Sequence, residues 1–181
     1  RSMILNGTDP VPPFPSPYLQ PTAAAVTNIE FRDMEFVLTA DYLLPDYRAY
    51  SGVIRILDSS ELRFIRVKCS GGASGMQLYR CDVVLLDNCD LSNNDSTGFS
   101  GQCNNFVMRD TTALQNGHPS GAQTHDFYLI NSSYVNIHDC LFGPSAEATA
   151  DSVVIRYEEE SVDALADYDE VFDVQMSDCR F

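Results

Sequence analysis

The chain has 181 residues, with 26 Asp plus Glu against 11 Lys plus Arg, a formal charge of −15 and a single lysine, Lys68. A surface this acidic repels phosphate backbones, so nucleic acid is not an expected partner. The length suits one domain, and no apolar run reaches the roughly 18 residues that a membrane-crossing helix needs, so no membrane partner is expected either.

Residues 6–21, NGTDPVPPFPSPYLQP, hold six prolines. Proline has no amide donor to give to a sheet, so this stretch cannot pair as a central strand, and residues 1–25 are expected to form an extended leader. From 26 to 181 one apolar phrase recurs. Its anchors are Met34, Val67, Cys89, Thr111, Cys140 and Cys179. Five and three residues before them stand Ile29 and Phe31, Leu62 and Phe64, Val84 and Leu86, Phe106 and Met108, Val135 and Ile137, Val174 and Met176. The residue just before each anchor is polar: Asp33, Arg66, Asn88, Asp110, Asp139, Asp178. Two residues after it comes Phe36, Cys69, Leu91, Ala113, Phe142 or Phe181. Further back, Ile54, Met76 and Phe127 fall thirteen before their anchors, Ile56, Leu78 and Leu129 eleven before, and Ser59, Cys81, Cys103 and Ser132 eight before.

A fixed period with alternating apolar and polar residues describes short strands, each with one buried face. Such strands restart in register on every turn of a solenoid. The reading is an all-β, right-handed parallel β-helix of about six coils with three short strands each, spanning 26–181. One coil cannot bury its own inner face, whereas a stack can. The outward residues check the register independently. Glu30 should meet Arg63, Glu35 meet Lys68, Lys68 meet Asp90, and Asp87 meet Arg109, all opposite charges on neighbouring strands. Successive anchors lie 33, 22, 22, 29 and 39 residues apart, so the extra length must leave the stack as loops near 37–52, 115–126, 143–152 and 158–170. Loops on a rigid scaffold are where function concentrates.

The six cysteines fall at inward offsets and read as small buried hydrophobes with free thiols. Cys81–Cys103 and Cys140–Cys179 would nevertheless be close enough to bridge. No metal-ligand spacing is present, and no cofactor is expected. The chain stops on Phe181 inside a third strand, which suggests a piece of a longer protein with further coils or a trimerising region.

The segments NFVMRDTTALQNG, SYVNIHDCLF and GMQLYRCDVVLLDNCDLSNN resemble coils of the pectate-lyase-like β-helix superfamily, and among its members bacteriophage tailspike and tail-fibre depolymerases. The resemblance covers 26–181 and rests on coil architecture. It implies a polysaccharide partner (capsule, O-antigen or uronan), a homotrimer, and a place on a virion tail or outside the cell. The superfamily's catalytic motifs do not match: NNDSTG (93–98), NGHPSG (116–121) and VIRYEEE (154–160) depart from the galacturonan-hydrolase pattern, and THD (124–126) covers only part of the alginate-epimerase one.

Candidate chemistry gathers around His118, His125 and Asp126, beside the strand holding Phe127 and Leu129. A histidine next to an aspartate suits general base work or a sugar hydroxyl. Asp95 would lie one coil earlier as a partner acid, and Arg156 with Glu158 one coil later, where Arg156 could hold a sugar carboxylate. Tyr128 faces outward beside the cluster and suits a sugar ring. The catalytic candidates are thus Asp126, His125 and Asp95, and the substrate-binding ones Arg156, Tyr128, His118 and Glu158. Against these stand turn and corner roles for the same residues, and a surface ion pair for Arg156. The acidic row Asp110, Asp139 and Asp178 reads as a structural corner ladder. Asp163, Asp167 and Asp169 lack calcium-loop spacing. Two functions remain open: a glycan-recognising domain that cleaves its ligand, and a catalytically silent structural or glycan-binding section of a fibre, adhesin or surface protein.

Overall fold

The computed structural model describes residues 26–37, 52–117, 125–143, 153–156 and 172–181. The proline-rich leader and most of each predicted loop lie outside the described residues. The strands are β1 (Thr27–Val37), β2 (Gly52–Leu57), β3 (Ser60–Ser70), β4 (Ser74–Asp87), β5 (Thr97–Arg109), β6 (Thr112–Ala113), β7 (His125–Ile130), β8 (Ser133–His138), β9 (Leu141–Phe142), β10 (Val153–Arg156) and β11 (Phe172–Ser177). Every pairing between them is parallel.

Three surfaces run along the stack. β2, β4, β5, β7 and β10 make one. β1, β3, β4, β5, β8 and β11 make the second. β6 and β9, with the bridges Lys68–Asp90, Asp90–Thr112 and Leu141–Arg180, make the narrow third. The expected column of apolar side chains is present: Val84 pairs Phe106 and Phe106 pairs Val135, with all three buried. Aromatic rings continue it, with Phe99 stacked on Phe127 at 5.0 Å and Phe31 on Phe64 at 5.1 Å.

The corners have a common cause. The polar residues just before the anchors (Asp33, Arg66, Asn88, Asp110, Asp139 and Asp178) all have φ between 48° and 55°. That left-handed conformation costs L-residues about 1–2 kcal/mol, least for Asn and Asp, whose short side chains bond locally. A second set of left-handed corners runs through Asn28, Glu61, Val83, Asn105, Tyr134 and Asp173. Asp110, Asp139 and Asp178 are exposed, so their row is a set of solvated corners, in keeping with the structural reading.

Two expectations need correction. Three separate strands per coil were expected, but β4 and β5 run without a break through the first two surfaces. The register also slips at Arg80. Tyr79 pairs Gln102 while Cys81 pairs Cys103, so β4 carries one extra residue, with φ 54°. Consequently Phe99 and Gly101, not the residues thirteen and eleven before Thr111, fill the inward places beside Met76 and Leu78. At the last coil, Val174, Met176 and Phe181 are 37%, 37% and 72% exposed, so they do not share the burial of their counterparts.

The charge check holds in position for all four pairs. Glu30 pairs Arg63, Glu35 pairs Lys68, Lys68 bridges Asp90, and Arg109 Nη2 lies 2.7 Å from Asp87 Oδ2. Glu30 itself bonds Arg32, at 2.6 Å. Two bidentate pairs escaped the sequence reading, Arg66 with Asp33 and Arg80 with Asp58. The six cysteines are free thiols and only Cys179 is not fully buried. Burial pushes the Cys81 and Cys140 thiols up to about 12.

Candidate functional site

The first surface differs from the second in what it turns outward. On the second, Glu30, Arg63, Asn136 and Gln175 are outward and all four are exposed. On the first, the outward register row is Arg55, Gln77, Ser100, Tyr128 and Val154, and beside it runs Leu57, Tyr79 and Gln102. Gln77, Ser100 and Gln102 are 3%, 5% and 2% exposed despite facing away from the apolar column. This sheet is therefore shielded on both faces and carries uncharged polar groups on the outer one. Tyr79 Oη reaches Ser100 Oγ at 3.4 Å, and Gln77 Nε2 donates to Ser74 Oγ at 3.2 Å. Gln102 Nε2 is buried with no hydrogen-bond partner among the described residues.

At the open end of this floor three of the expected residues meet. The His125 imidazole stacks on the Tyr128 ring, centroids 5.2 Å apart and planes 10° from parallel. The Arg156 guanidinium donates from Nη2 to Tyr128 Oη at 2.8 Å, with Cζ 5.3 Å from the ring centroid. Strand pairing explains the meeting: Tyr128 pairs Val154, which puts Arg156 diagonally across from it on the next rung. Tyr128 and His125 are half-buried and Arg156 is exposed, so solvent reaches the cluster.

Asp126 is placed differently from the expectation. It is the second residue of β7, fully buried, and its Oδ1 accepts from Asn116 Nδ2 at 2.9 Å. Asn116 Oδ1 in turn accepts from Asn94 Nδ2 at 3.1 Å, and Asn94 also donates to the carbonyls of Cys69, Leu91 and Ser92. The carboxylate thus ends an internal amide ladder that satisfies backbone groups at a corner. Gly98 makes room for it: a Cβ there would stand 2.6 Å from the Asp126 carbonyl oxygen and 2.8 Å from Asn116 Nδ2. Asp126 is thus buried at a corner, whereas His125 lies half-buried against the Tyr128 ring.

Asp95 precedes β5 on a half-buried loop, where its backbone N–H donates to the Gly72 carbonyl at 2.7 Å. His125 sits beside Thr97, two residues further on, and no bond joins the Asp95 carboxylate to it. His118 and Glu158, like Tyr42, Tyr47, Tyr50, Asp163, Asp167 and Asp169, lie outside the described residues. The sequence reading missed Gln77, Tyr79, Ser100 and Gln102. The signal was the absence of charge at outward positions in a chain that elsewhere places acid–base pairs there. Among the described residues no group of three His, Cys, Asp or Glu side chains could hold a metal ion.

Parallel rungs in register around an apolar column define a parallel β-solenoid. The right handed beta helix region family matches residues 51–181, and the chain belongs to that family. No curated protein and no solved structure matches it.

Proposed function

We propose that this β-helix domain recognises a polysaccharide at the β7–β10 end of the outer face of the β2–β4–β5–β7–β10 sheet. The observation that carries the proposal is the solvent-reached cluster of His125, Tyr128 and Arg156 at the end of that face. Arg156 and His125 add a charged and an aromatic group at the solvent-facing end. Tyr128 offers a rigid ring with a polar tip, a combination suited to amphipathic ligands.

Binding without cleavage is the form favoured here. Glycoside hydrolysis ordinarily uses two carboxyl groups flanking the bond, and Asp126, next to His125 in the chain, is buried and accepts from Asn116 instead. In this reading the domain is a glycan-binding section of a fibre, spike or surface protein, working as a homotrimer outside the cell or on a virion tail. Capsule, lipopolysaccharide and uronan preparations, titrated by calorimetry against the chain and its Tyr128→Ala and Arg156→Ala variants, test it. The expected result is saturable binding to one glycan, weakened at least tenfold in each variant, with no new reducing or unsaturated ends. Undiminished binding by both variants would move the site elsewhere. New chain ends, lost in Asp126→Asn, would restore the depolymerase reading.

A further inference from the structure

Cys140 and Cys179 occupy the same anchor position on adjacent coils. His138 pairs Ser177 and Leu141 bridges Arg180, which sets Cys140 directly against Cys179. Parallel neighbours stand about 4.8 Å apart, inside the roughly 4.4–6.8 Å Cα window for a disulfide. Both side chains turn toward the interior. Cys140 Sγ donates to the His138 carbonyl at 3.2 Å and Cys179 Sγ to the Ser177 carbonyl at 3.3 Å.

The two thiols differ in access. Cys140 is 2% exposed, whereas Cys179 is partly exposed on the outermost described coil, where Val174 and Met176 are also open to solvent. Cys81 and Cys103 offer a comparison within the same molecule. They too pair in register, but both are fully buried.

We propose that Cys140 and Cys179 are a redox-convertible pair, a modification site at which a small disulfide oxidant such as oxidised glutathione joins β11 to β8. Cys179, once deprotonated, attacks one sulfur of the glutathione disulfide; that S–S bond breaks and one glutathione thiolate leaves. Cys140, deprotonated in turn, attacks Cys179 Sγ and expels the second glutathione. Two protein thiols lose two electrons and become one disulfide, the oxidant is reduced to two glutathione thiols, and these take up the two protons. Burial holds the Cys140 thiol near 12, so the second attack is the slow step and quickens as pH rises. The link would close the 39-residue interval from Cys140 to Cys179 and restrict the unfolded chain accordingly.

The test uses the whole 181-residue chain with oxidised glutathione at pH 8. After quenching and denaturation, thiols are titrated and the linked peptides mapped by mass. The expected result is a fall from six thiols to four, one Cys140–Cys179 linked peptide, and a thermal midpoint that rises and returns on reduction. Cys179→Ser, with an unchanged far-ultraviolet spectrum as its control, should lose no thiols. Six surviving thiols, a stalled glutathione adduct on Cys179, or a Cys81–Cys103 link in the folded chain would each overturn the proposal. The wild-type peptide map decides the matter even if the variant fails to fold.

Discussion

Val83 has φ 53° and is 48% exposed, at a corner where the neighbouring coils place Glu61 and Asn105 with φ 54° and 48°. A β-branched side chain is poorly suited to the left-handed region, and at this exposure little packing offsets the strain. Asparagine tolerates the same backbone and matches what the next coil already uses. Val83→Asn is therefore expected to raise stability by about 1 kcal/mol, read as a higher urea midpoint with an unchanged slope. An equal or lower midpoint would mean that Val83 is held by packing and not strained. Residue identity at these corners was legible from sequence as a polar position. The left-handed backbone behind it was not, because Arg66, Arg80, Val83 and Tyr134 adopt it alongside the more familiar Asn and Asp.

Adjacent strands are stitched on their outer surfaces by acid–base pairs, and those pairs make stability depend on pH. The hydrogen bond from Arg80 holds the Asp58 carboxyl below its ordinary 3.8, and Arg66 and Arg109 do the same for Asp33 and Asp87. With the folded value below the unfolded one, the unfolded chain takes up protons first as pH falls. The stabilisation is fully present above pH 3.8 and is lost as pH falls through the lower folded value. The Asp58 side chain is 53% exposed, so solvent screening limits the pair to about 0.2–1 kcal/mol. Asp58→Asn keeps a residue that accepts φ 51° and should be less stable than the parent at pH 7 by that amount. The two urea midpoints should converge as pH falls below 3.8 and through the lower folded value; a difference that persisted in strong acid would rule the ion pair out as its source. Strand pairing itself was readable from the sequence, since the apolar offsets alone put Glu35 beside Lys68 and Asp87 beside Arg109. Asp33–Arg66 and Asp58–Arg80 also share offsets from their anchors but lie at corners, outside the strand alternation on which the charge check was run. Asp126 shows a limit at the site: its place beside His125 in the chain suited acid–base work, but the carboxylate is fully buried and accepts from Asn116, ten residues earlier.

At the scale of the molecule, a stack in which each coil touches only its neighbours has a stability that varies along its axis. β4 and β5 sit between coils on both sides, and they carry the fully buried Met76, Leu86, Phe99 and Phe106. β11 pairs with β8 alone among the described strands, and its Val174 and Met176 are each 37% exposed. Less apolar area buried means a smaller free energy for local opening. Amide hydrogen exchange should therefore report the gradient directly: protection greatest in β4 and β5, lower toward β1, and lowest in β11, where exchange is expected to be at least tenfold faster than in β5. The one-residue slip at Arg80 should not interrupt this gradient, because Cys81 and Cys103 resume the register at once and the apolar column continues through Phe99 into Phe127. Uniform protection from β1 to β11 would show that the coils open as one cooperative unit. A protection minimum at β4–β5 would instead mark the slip as a break between two halves that unfold separately.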